Sequence, residues 1–598
     1  MLAHNREKQT IILGISCFYH DAAAALLVDG KIVAAAQEER FSRKKHDADF
    51  PEKAIAYCFE SQGISIHNVD YVVFYDKPIT KFERLLQTYI KVWPRGLGSF
   101  TTAMKVWMKE KLWIESIILK KLGFDGDILF TEHHYSHAAS AYYGSDFDNA
   151  VVVTMDGVGE WDTTTIGYGR DNVMCLTNTI NFPHSLGLLY SALTYYLGFK
   201  VNSAEYKVMG LAPYGNPDIY YDIFKKLITI ADDGSYALNM DYFAYEYGKI
   251  MVNKKFNNLF GGPPRGSESE LTQRHKDIAA ALQTITEEVV LKIVRYAQKL
   301  YPSKNICLAG GVALNCVANG KILQEGLFEG LYVQPASGDA GGAIGAACYV
   351  YFDVLKNEKG KGVMENVYLG PEFDNDYIGS FLEDIGKEKM KKKLQYQLLA
   401  DHDLFLKTAK LIADNNVVGW FQGKMEFGPR ALGNRSIVAD ARNKENWQRV
   451  NLKIKFRESF RPFAPTVLED YAQEYFELKE HSSPYMLLVA KVKSLNIPAV
   501  THVDNSARIQ TVNKKENERY YGLLSAFYKE TKCPVFINTS FNVRGEPIVC
   551  TPQDAFSCFV NTDMDYLVLG NYIISKTENP ELEKLKNTSD YLREFTLD

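Results

Sequence analysis

The sequence predicts an α/β protein in two parts, a larger one spanning residues 1–360 and a smaller one spanning 361–598. Three observations carry this reading. Short apolar runs rich in β-branched residues end at polar, glycine-containing turns and lead into helical stretches. One strand, turn, strand, turn, strand pattern is used twice within the first 176 residues. A polar stretch with two glycines, KNEKGKGVMEN (Lys356 to Asn366), reads as the linker.

In chain order, strands are expected at Thr10–Ser16, Ala23–Val28, Lys31–Ala36 and Tyr71–Tyr75, with Asp29-Gly30 as a hairpin turn. Residues 80–125 read as amphipathic helices with interleaved Trp and Lys, an ordinary packing face to which no function is assigned. The pattern then repeats in NAVVVTMDGVGEWDTTTIGYGRDNVMCL (Asn149 to Leu176), where DGVGE and RDN are the turns. NICLAGGVALNCVANGKIL (Asn305 to Leu323) is a strand that breaks at Gly310-Gly311 and enters a helix, and GDAGG (Gly338 to Gly342) opens another.

Bulk composition excludes several classes. The chain has 598 residues, more than one core usually accommodates, and 46% apolar with 24% charged residues is globular rather than disordered. Nine cysteines without a CxxC pair give neither a disulfide framework nor a zinc ribbon, which points to a reducing cytosol. The start, MLAHNREKQT, is polar, and no uncharged run reaches the ~20 residues of a membrane span. A cytoplasmic protein with no membrane partner is expected. The net charge of -5 gives no global reason for a nucleic-acid partner. Lys424 to Arg461, by contrast, holds ten basic residues against four acidic, a segment suited to an anion.

Four glycine or polar turns follow buried strands in order: CFYHDAA, DGVGE, GGVALN and GDAGG. Such turns let backbone N–H groups approach phosphate. Actin-like ATPases place two phosphate hairpins, an adenosine turn and a closing helix in that order. His20 and Asp21 then fall in the first phosphate turn, where an imidazole of ordinary pKa near ~6.5 suits general-base work. HHYSHAAS places His133 and His137 at i and i+4 on one helix face, an imidazole pair suited to a transition metal, with Asp156 and Asp339 as candidate further ligands. In the second part GPRALGNRS, KFRESFRPFAP and SFNVRGEP bring Arg430, Arg435, Lys455, Arg457, Arg461 and Arg544 close to Ser540 and Asn542. Guanidinium forks there would make a pocket for a small dianion.

From YHDAAAALL through HHYSHAAS, EYKVMGLAPYG, LAGGVALNCVANG, GDAGGAIGAA, EFGPRALGNRS and KFRESFRPFAP to INTSFNVRGEPIV, the sequence resembles the ATP-dependent O-carbamoyltransferases of the NodU/CmcH type, the group that includes the tobramycin carbamoyltransferase. The resemblance implies an actin-like (ASKHA) two-lobed N-terminal domain and a C-terminal YrdC-like α/β domain. It implies that carbamoyl phosphate and ATP give carbamoyl-adenylate and pyrophosphate in the C-terminal domain. The N-terminal domain would pass the carbamoyl group to a hydroxyl of a small acceptor, a secondary metabolite or sugar, and release AMP. Carried over by motif, Arg430, Arg435, Lys455, Arg461, Arg508, Ser540, Asn542 and Arg544 would hold carbamoyl phosphate and nucleotide phosphates. Gly157, Gly159, Lys207, Gly310, Gly311, Asn315 and Gly338 would serve the nucleotide. His133, His137, Asp156 and Asp339 would hold a divalent metal, Fe2+ first, with Mg2+ or Mn2+ as alternatives. His20 would activate the acceptor, with Asp21 orienting it. A homodimer is the commonest arrangement for such an enzyme.

Two rival readings stay open on the sequence. One is a tRNA-modifying enzyme of the threonylcarbamoyl type, disfavoured by the acidic chain and the absence of an extended basic stripe with aromatics. The other is an ATP-gated clamp of the actin kind without catalysis, which leaves the arginines unexplained.

Overall fold

A computed structural model describes residues 9–388, 394–478 and 482–596. The polar start of the chain, residues 1–8, lies outside them. The chain divides into two compact units, one of residues 1–38 and 46–365, the other of 39–45 and 366–598. No helix among the described residues is long and apolar enough to cross a membrane, and none of the nine cysteines forms a disulfide.

The first unit repeats one sheet topology. Strands β1 (Ile11–Ser16), β2 (Ala23–Val28) and β3 (Lys31–Gln37) form an antiparallel meander, and β4 (Tyr71–Phe74) and β5 (Ile128–Phe130) add in parallel on the other side of β1, giving the order β3-β2-β1-β4-β5. Strands β6 (Asn149–Met155), β7 (Asp162–Arg170) and β8 (Val173–Asn181) form the second meander. After a separate hairpin of β9 (Ile228–Ile230) and β10 (Tyr236–Leu238), β11 (Asn305–Ala309) and β12 (Gly330–Val333) complete the order β12-β11-β6-β7-β8. This duplicated order is that of the two lobes of an actin-like ATPase. The turns explain the meanders. Asp29-Gly30 and Asp171-Asn172 all have positive φ, the geometry that matches the twist of a tight hairpin.

The core of this unit is a sandwich that needs glycine. The helix Asp339–Cys348 packs on β1 and on the helix His133–Tyr142. A Cβ on Gly14 of β1 would stand 2.0 Å from the Ala343 carbonyl oxygen, and one on Gly345 would stand 1.7 Å from that of Ser136. Glycine at both contacts lets backbone meet backbone, and that approach brings Asp339 and His133, which open their respective helices, to one place.

The second unit is α/β as well, built on a nine-stranded mixed sheet. Its strands are β13 (Gln397–Leu398), β14 (Val418–Phe421), β15 (Arg435–Asp440), β16 (Ala464–Leu468), β17 (Leu488–Lys491), β18 (Ser506–Val512), β19 (Val535–Ser540), β20 (Tyr566–Leu569) and β21 (Tyr572–Ser575). Their order is β13-β21-β20-β14-β15-β19-β16-β18-β17. The early segment Glu39–Lys45 belongs to this unit. Arg40 donates to the Gly428 carbonyl at 2.7 Å, and Arg43 to the Ile548 carbonyl at 2.8 Å and the Glu546 carboxylate at 2.7 Å.

Gly345→Ala is expected to destabilise the first unit by about 1 to 3 kcal/mol, the usual cost of overpacking. It should appear as a fall in Tm. An unchanged Tm would contradict the tight helix crossing.

Candidate active site

The two-histidine face read from HHYSHAAS is set by the start of its helix. Glu160, the last residue of the DGVGE turn, accepts from the His133 backbone N–H with both oxygens, at 3.2 and 3.1 Å, and from Lys77 N–H at 2.8 Å. A carboxylate at a helix N-terminus fixes where the helix begins. Burial, reinforced by the neighbouring Asp76, pushes this carboxyl up to about 8. Gly159 has a steric duty too: a Cβ there would press on His133 and His134 at 3.0 Å.

The four expected metal ligands converge. One ligand atom from each of His133, His137, Asp156 and Asp339 lies within 4.8 Å of the other three. The Nε2 atoms of His133 and His137 are 3.1 Å apart. His133 Nε2 stands 3.1 Å from Asp156 and 3.8 Å from Asp339, and His137 Nε2 stands 4.0 and 3.8 Å from the same two. Two carriers fix the carboxylates: Gly311 N–H donates to Asp156 Oδ1 at 2.7 Å, and Tyr75 OH to Asp339 Oδ2 at 3.1 Å. Two buried imidazoles pointing the same edge at each other beside two carboxylates form a donor set that fits a divalent transition ion. The electrostatics agree. Burial alone would lower the His133 pKa, but its hydrogen bond to Asp156 lifts it to about 9. Burial, with the adjacent His133, pushes His137 down to about 3. Burial holds Asp339 above the usual carboxylate range.

The first hairpin turn carries a relay. His20 Nδ1 is 2.9 Å from Asp21 Oδ2, and its Nε2 is 2.6 Å from the Asn202 carbonyl. Asp21 Oδ1 also takes His46 Nδ1 at 2.8 Å, and His46 Nε2 reaches Ser203 Oγ at 2.9 Å. The expectation of an imidazole with ordinary pKa needs correction here. Both ring nitrogens of His20 face acceptors that cannot donate, so the ring carries two protons. Burial opposes that charge, but Asp21, helped by Asp339 and the Asn202 carbonyl, lifts the pKa to about 10. Backbone N–H groups in this turn are engaged as well: Phe18 donates to Ala48 at 2.6 Å and Ala22 to Asp47 at 2.7 Å.

The expected nucleotide residues divide. Gly157 and Gly338 leave open space where a Cβ would stand, while Gly310, at φ 89, has a Cβ position 2.3 Å from the Met155 carbonyl and makes the strand break. Gly311 gives its N–H to Asp156. Asn315 accepts from Ala318 N–H at 3.2 Å, capping the helix Cys316–Glu325, and exchanges two hydrogen bonds with Gln283. Its amide is therefore structural rather than presented to a nucleotide. Lys207 is fully buried, near the Phe199 ring.

In the second unit the anion set is corrected in two places. Arg435 is fully buried and donates to the carbonyls of Gln422 (2.5 Å), Gly423 (3.1 Å), Asn434 (3.0 Å) and Pro371 (2.9 Å), with its guanidinium 3.7 Å over Phe421. Lys455 donates to the carbonyl and hydroxyl of Ser540 and to the backbone and side-chain carbonyls of Asn542. Burial, with Arg457 nearby, holds its ammonium well below the usual lysine range. Both cations spend their donors on the fold, as buried donors must, and so cannot face a dianion as drawn from the sequence. The loops they hold still present others. GPRALGNR winds around Glu426, whose Oε1 accepts from Leu432, Asn434 and Arg435 N–H at 2.7, 2.9 and 3.2 Å, leaving Arg430 half-buried at the loop's outside. Arg461 and Arg544 share Glu458, each at 3.4 Å. Arg508 is half-buried on β18. The sequence reading missed Arg40 and Arg43, which run from the first strands' end into the same loops. Their only sequence signal is the basic run RFSRKK, 388 to 505 residues away from its partners.

Fold and family agree on a two-unit α/β transferase. The chain belongs to the carbamoyltransferase family, matching "Carbamoyltransferase N-terminus" over residues 11–348 and "Carbamoyltransferase C-terminus" over residues 409–576. It is similar to an uncharacterized protein of Synechocystis sp., 53% identical over 98% of this chain and 100% of that one. It is similar also to Nodulation protein NolNO of Sinorhizobium fredii, 38% identical over 94% of this chain and 80% of that one, and more distantly to Nodulation protein U of the same species, 27% identical over 90% of this chain and 94% of the other. The component A of a 2-hydroxyglutaryl-CoA dehydratase from Acidaminococcus fermentans aligns with 58% of this chain and 99% of its own at 14% identity and a TM-score of 0.32. The actin-like assignment rests on the strand order itself.

Because His133 holds a proton at neutral pH that a cation must expel, Mn2+ binding at pH 7.5 is expected to release about one proton per ion. Titration calorimetry in two buffers of different ionisation enthalpy reads this. Proton-neutral binding would mean that the ion sits elsewhere.

Proposed function

We propose that this carbamoyltransferase activates its carbamoyl group as an adenylate and transfers it to a hydroxyl of a small acceptor. The observation that supports this best is the pairing, within one unit, of a carboxylate-held imidazole, His20, with the His2Asp2 group, close enough for Asp339 to act on the His20 charge.

The chemistry balances in three steps. Carbamoyl phosphate and water give carbamate and inorganic phosphate. A carbamate oxygen then attacks the α-phosphorus of ATP, forming carbamoyl-adenylate and releasing pyrophosphate. Last, the acceptor oxygen attacks the carbamoyl carbon, its proton leaves, and AMP departs. The first two steps handle only anions and fit a YrdC-like role for the second unit, where Arg430, Arg461, Arg508 and Arg544 would offer forks to phosphate oxygens. Lys455, Ser540 and Asn542 would act by holding the Arg544 loop, since Arg544 N–H donates to the Lys455 carbonyl at 3.1 Å.

The third step belongs to the first unit. An alcohol is a poor nucleophile at neutral pH and needs a base in hydrogen-bond reach. His20 Nε2 supplies one once the acceptor hydroxyl takes the place of the Asn202 carbonyl and the ring gives up its second proton. Asp21 keeps the proton on Nδ1 and so fixes the tautomer. His46 braces Asp21 from the other side. A divalent ion held by His133, His137, Asp156 and Asp339 would supply positive charge to phosphate oxygens of the leaving AMP. Iron, manganese and magnesium all accept part of that donor set, and imidazole favours the first.

Three outcomes test the assignment. His20→Asn should still release pyrophosphate from ATP and carbamoyl phosphate yet form no carbamoylated product, and full transfer by that variant would refute the base. Since a pKa near 10 leaves His20 protonated at neutrality, the transfer rate should rise with pH from 7 towards 10, and a plateau reached by pH 7 would contradict the relay. Arg461→Ala should raise the KM for carbamoyl phosphate at least about tenfold, a charge-assisted contact being worth roughly 1.5 to 3 kcal/mol.

A further inference from the structure

The helices inserted between β4 and β5 converge on Tyr19, the residue before His20. Lys81, on the helix Pro78–Val92, and Lys111, just after the helix Leu97–Lys109, each place Nζ 4.0 Å from the centre of the Tyr19 ring. Arg84 follows Lys81 by one helical turn, with its guanidinium 4.9 Å over Phe182. Trp107 closes another side, 6.2 Å from the Tyr19 ring.

Of the three cations here, only Lys81 stands in a direct ion pair among the described residues. Lys81 has Asp76 as counter-ion. Among the described residues neither Arg84 nor Lys111 makes an ion pair or a side-chain hydrogen bond, and both Arg84 Nε and the Tyr19 hydroxyl are buried without a partner. Glu110 beside Lys111 is exposed. Burial lowers Arg84 to about 10 and, with Lys81, lowers Lys111 to about 8. A buried guanidinium nitrogen and a buried hydroxyl left without partners are costly, and a fold retains them where a ligand supplies the missing contacts.

Resting on the transfer reading above, we propose that Arg84, Lys111 and the Tyr19 hydroxyl bind an anionic group of the acceptor, a carboxylate or a phosphate ester, and thereby set its reacting hydroxyl at His20. Tyr19 and His20 are consecutive on one strained turn, so a group held on the first fixes the distance to the second. The fork of Arg84 suits two oxygens of one anion, and Lys111 suits a single oxygen from another direction. Neutral acceptors would leave this set unpaired, which makes it a specificity device as well as an anchor.

Inorganic phosphate and acetate, titrated separately into the full chain by calorimetry at constant ionic strength, distinguish the two anion classes. The same titrations on Arg84→Gln and Lys111→Gln separate this cluster from the basic loops of the second unit. One site is expected to weaken about tenfold in each variant, the scale of one charge-assisted contact. Arg84→Gln should also unfold at or above the wild-type temperature, because it removes an unpaired buried charge. Anion binding identical in all three proteins would overturn the proposal, as would a large fall in Tm with binding unchanged, which would make Arg84 structural. Displacement of the Arg84-dependent anion by AMP would assign the cluster to the nucleotide and overturn the acceptor site. Because these are binding measurements, loss of the transfer reading, seen as no AMP from ATP and carbamoyl phosphate, is a separate result.

Discussion

The first unit hangs on one buried carboxylate. Asp156 leaves the end of β6, accepts the Gly311 N–H at the break after β11, and faces His133 at 3.1 Å. Three segments far apart in sequence are thus tied by one side chain. Its ionised form survives burial because the imidazole and the N–H answer it, and the His133 hydrogen bond holds its pKa well below the usual carboxylate range. A neutral asparagine could keep the Gly311 contact yet could not hold a proton on His133. The tetrad therefore keeps its charges paired, with the His133 proton held against the Asp156 carboxylate.

The second unit uses buried charge in the opposite sense. Arg435 and Lys455 are cations answered by carbonyl oxygens rather than by carboxylates, and each pins a loop through several of them. A carbonyl cannot neutralise a cation, but several together satisfy its hydrogens, so the buried charge costs less than the count of formal charges suggests. Glu426 and Glu546 play the mirror role with backbone N–H groups: Glu546 accepts from Val543 N–H at 2.8 Å and Tyr591 OH at 2.8 Å. The loops that present Arg430 and Arg544 are rigid for this reason. Rigid presentation is what a phosphate-binding fork requires, since an arginine on a loose loop would lose its entropy on every binding event.

Much of this was legible in the chain because the signals are local. The two meanders, their positive-φ turns and the spacing of His133 and His137 are all set by neighbours within ten residues. What stayed hidden depends on the depth at which a side chain ends. GPRALGNRS looks like a pair of equivalent arginines, yet β15 begins at Arg435 and turns it inward while Arg430 stays on the loop. DGVGE reads as a phosphate turn, and the structure gives its Glu160 to the start of the histidine helix. Residues 80–125 read as ordinary packing with a solvated basic face, because nothing in a helical period says that Lys81 and Lys111 share one tyrosine. The excursion of Glu39–Lys45 into the second unit is marked only by the basic run RFSRKK, which does not say which loops it meets.

The turn that holds His20 also shows where the fold accepts strain. Phe18, Asp21 and His46 all lie at positive φ, at 73°, 32° and 56°. Aspartate tolerates that region better than most residues, but phenylalanine does not. Non-glycine residues persist there only when surrounding contacts over-determine them. Here the Phe18 and Ala22 N–H groups are tied to Ala48 and Asp47, and Asp21 is clasped between two imidazoles. Relaxing the turn would move His20 away from the Asn202 carbonyl and Tyr19 away from Lys81 and Lys111 together. The strain thus couples the placement of His20 to that of Tyr19, and a glycine at position 18 would ease the backbone while freeing both to drift.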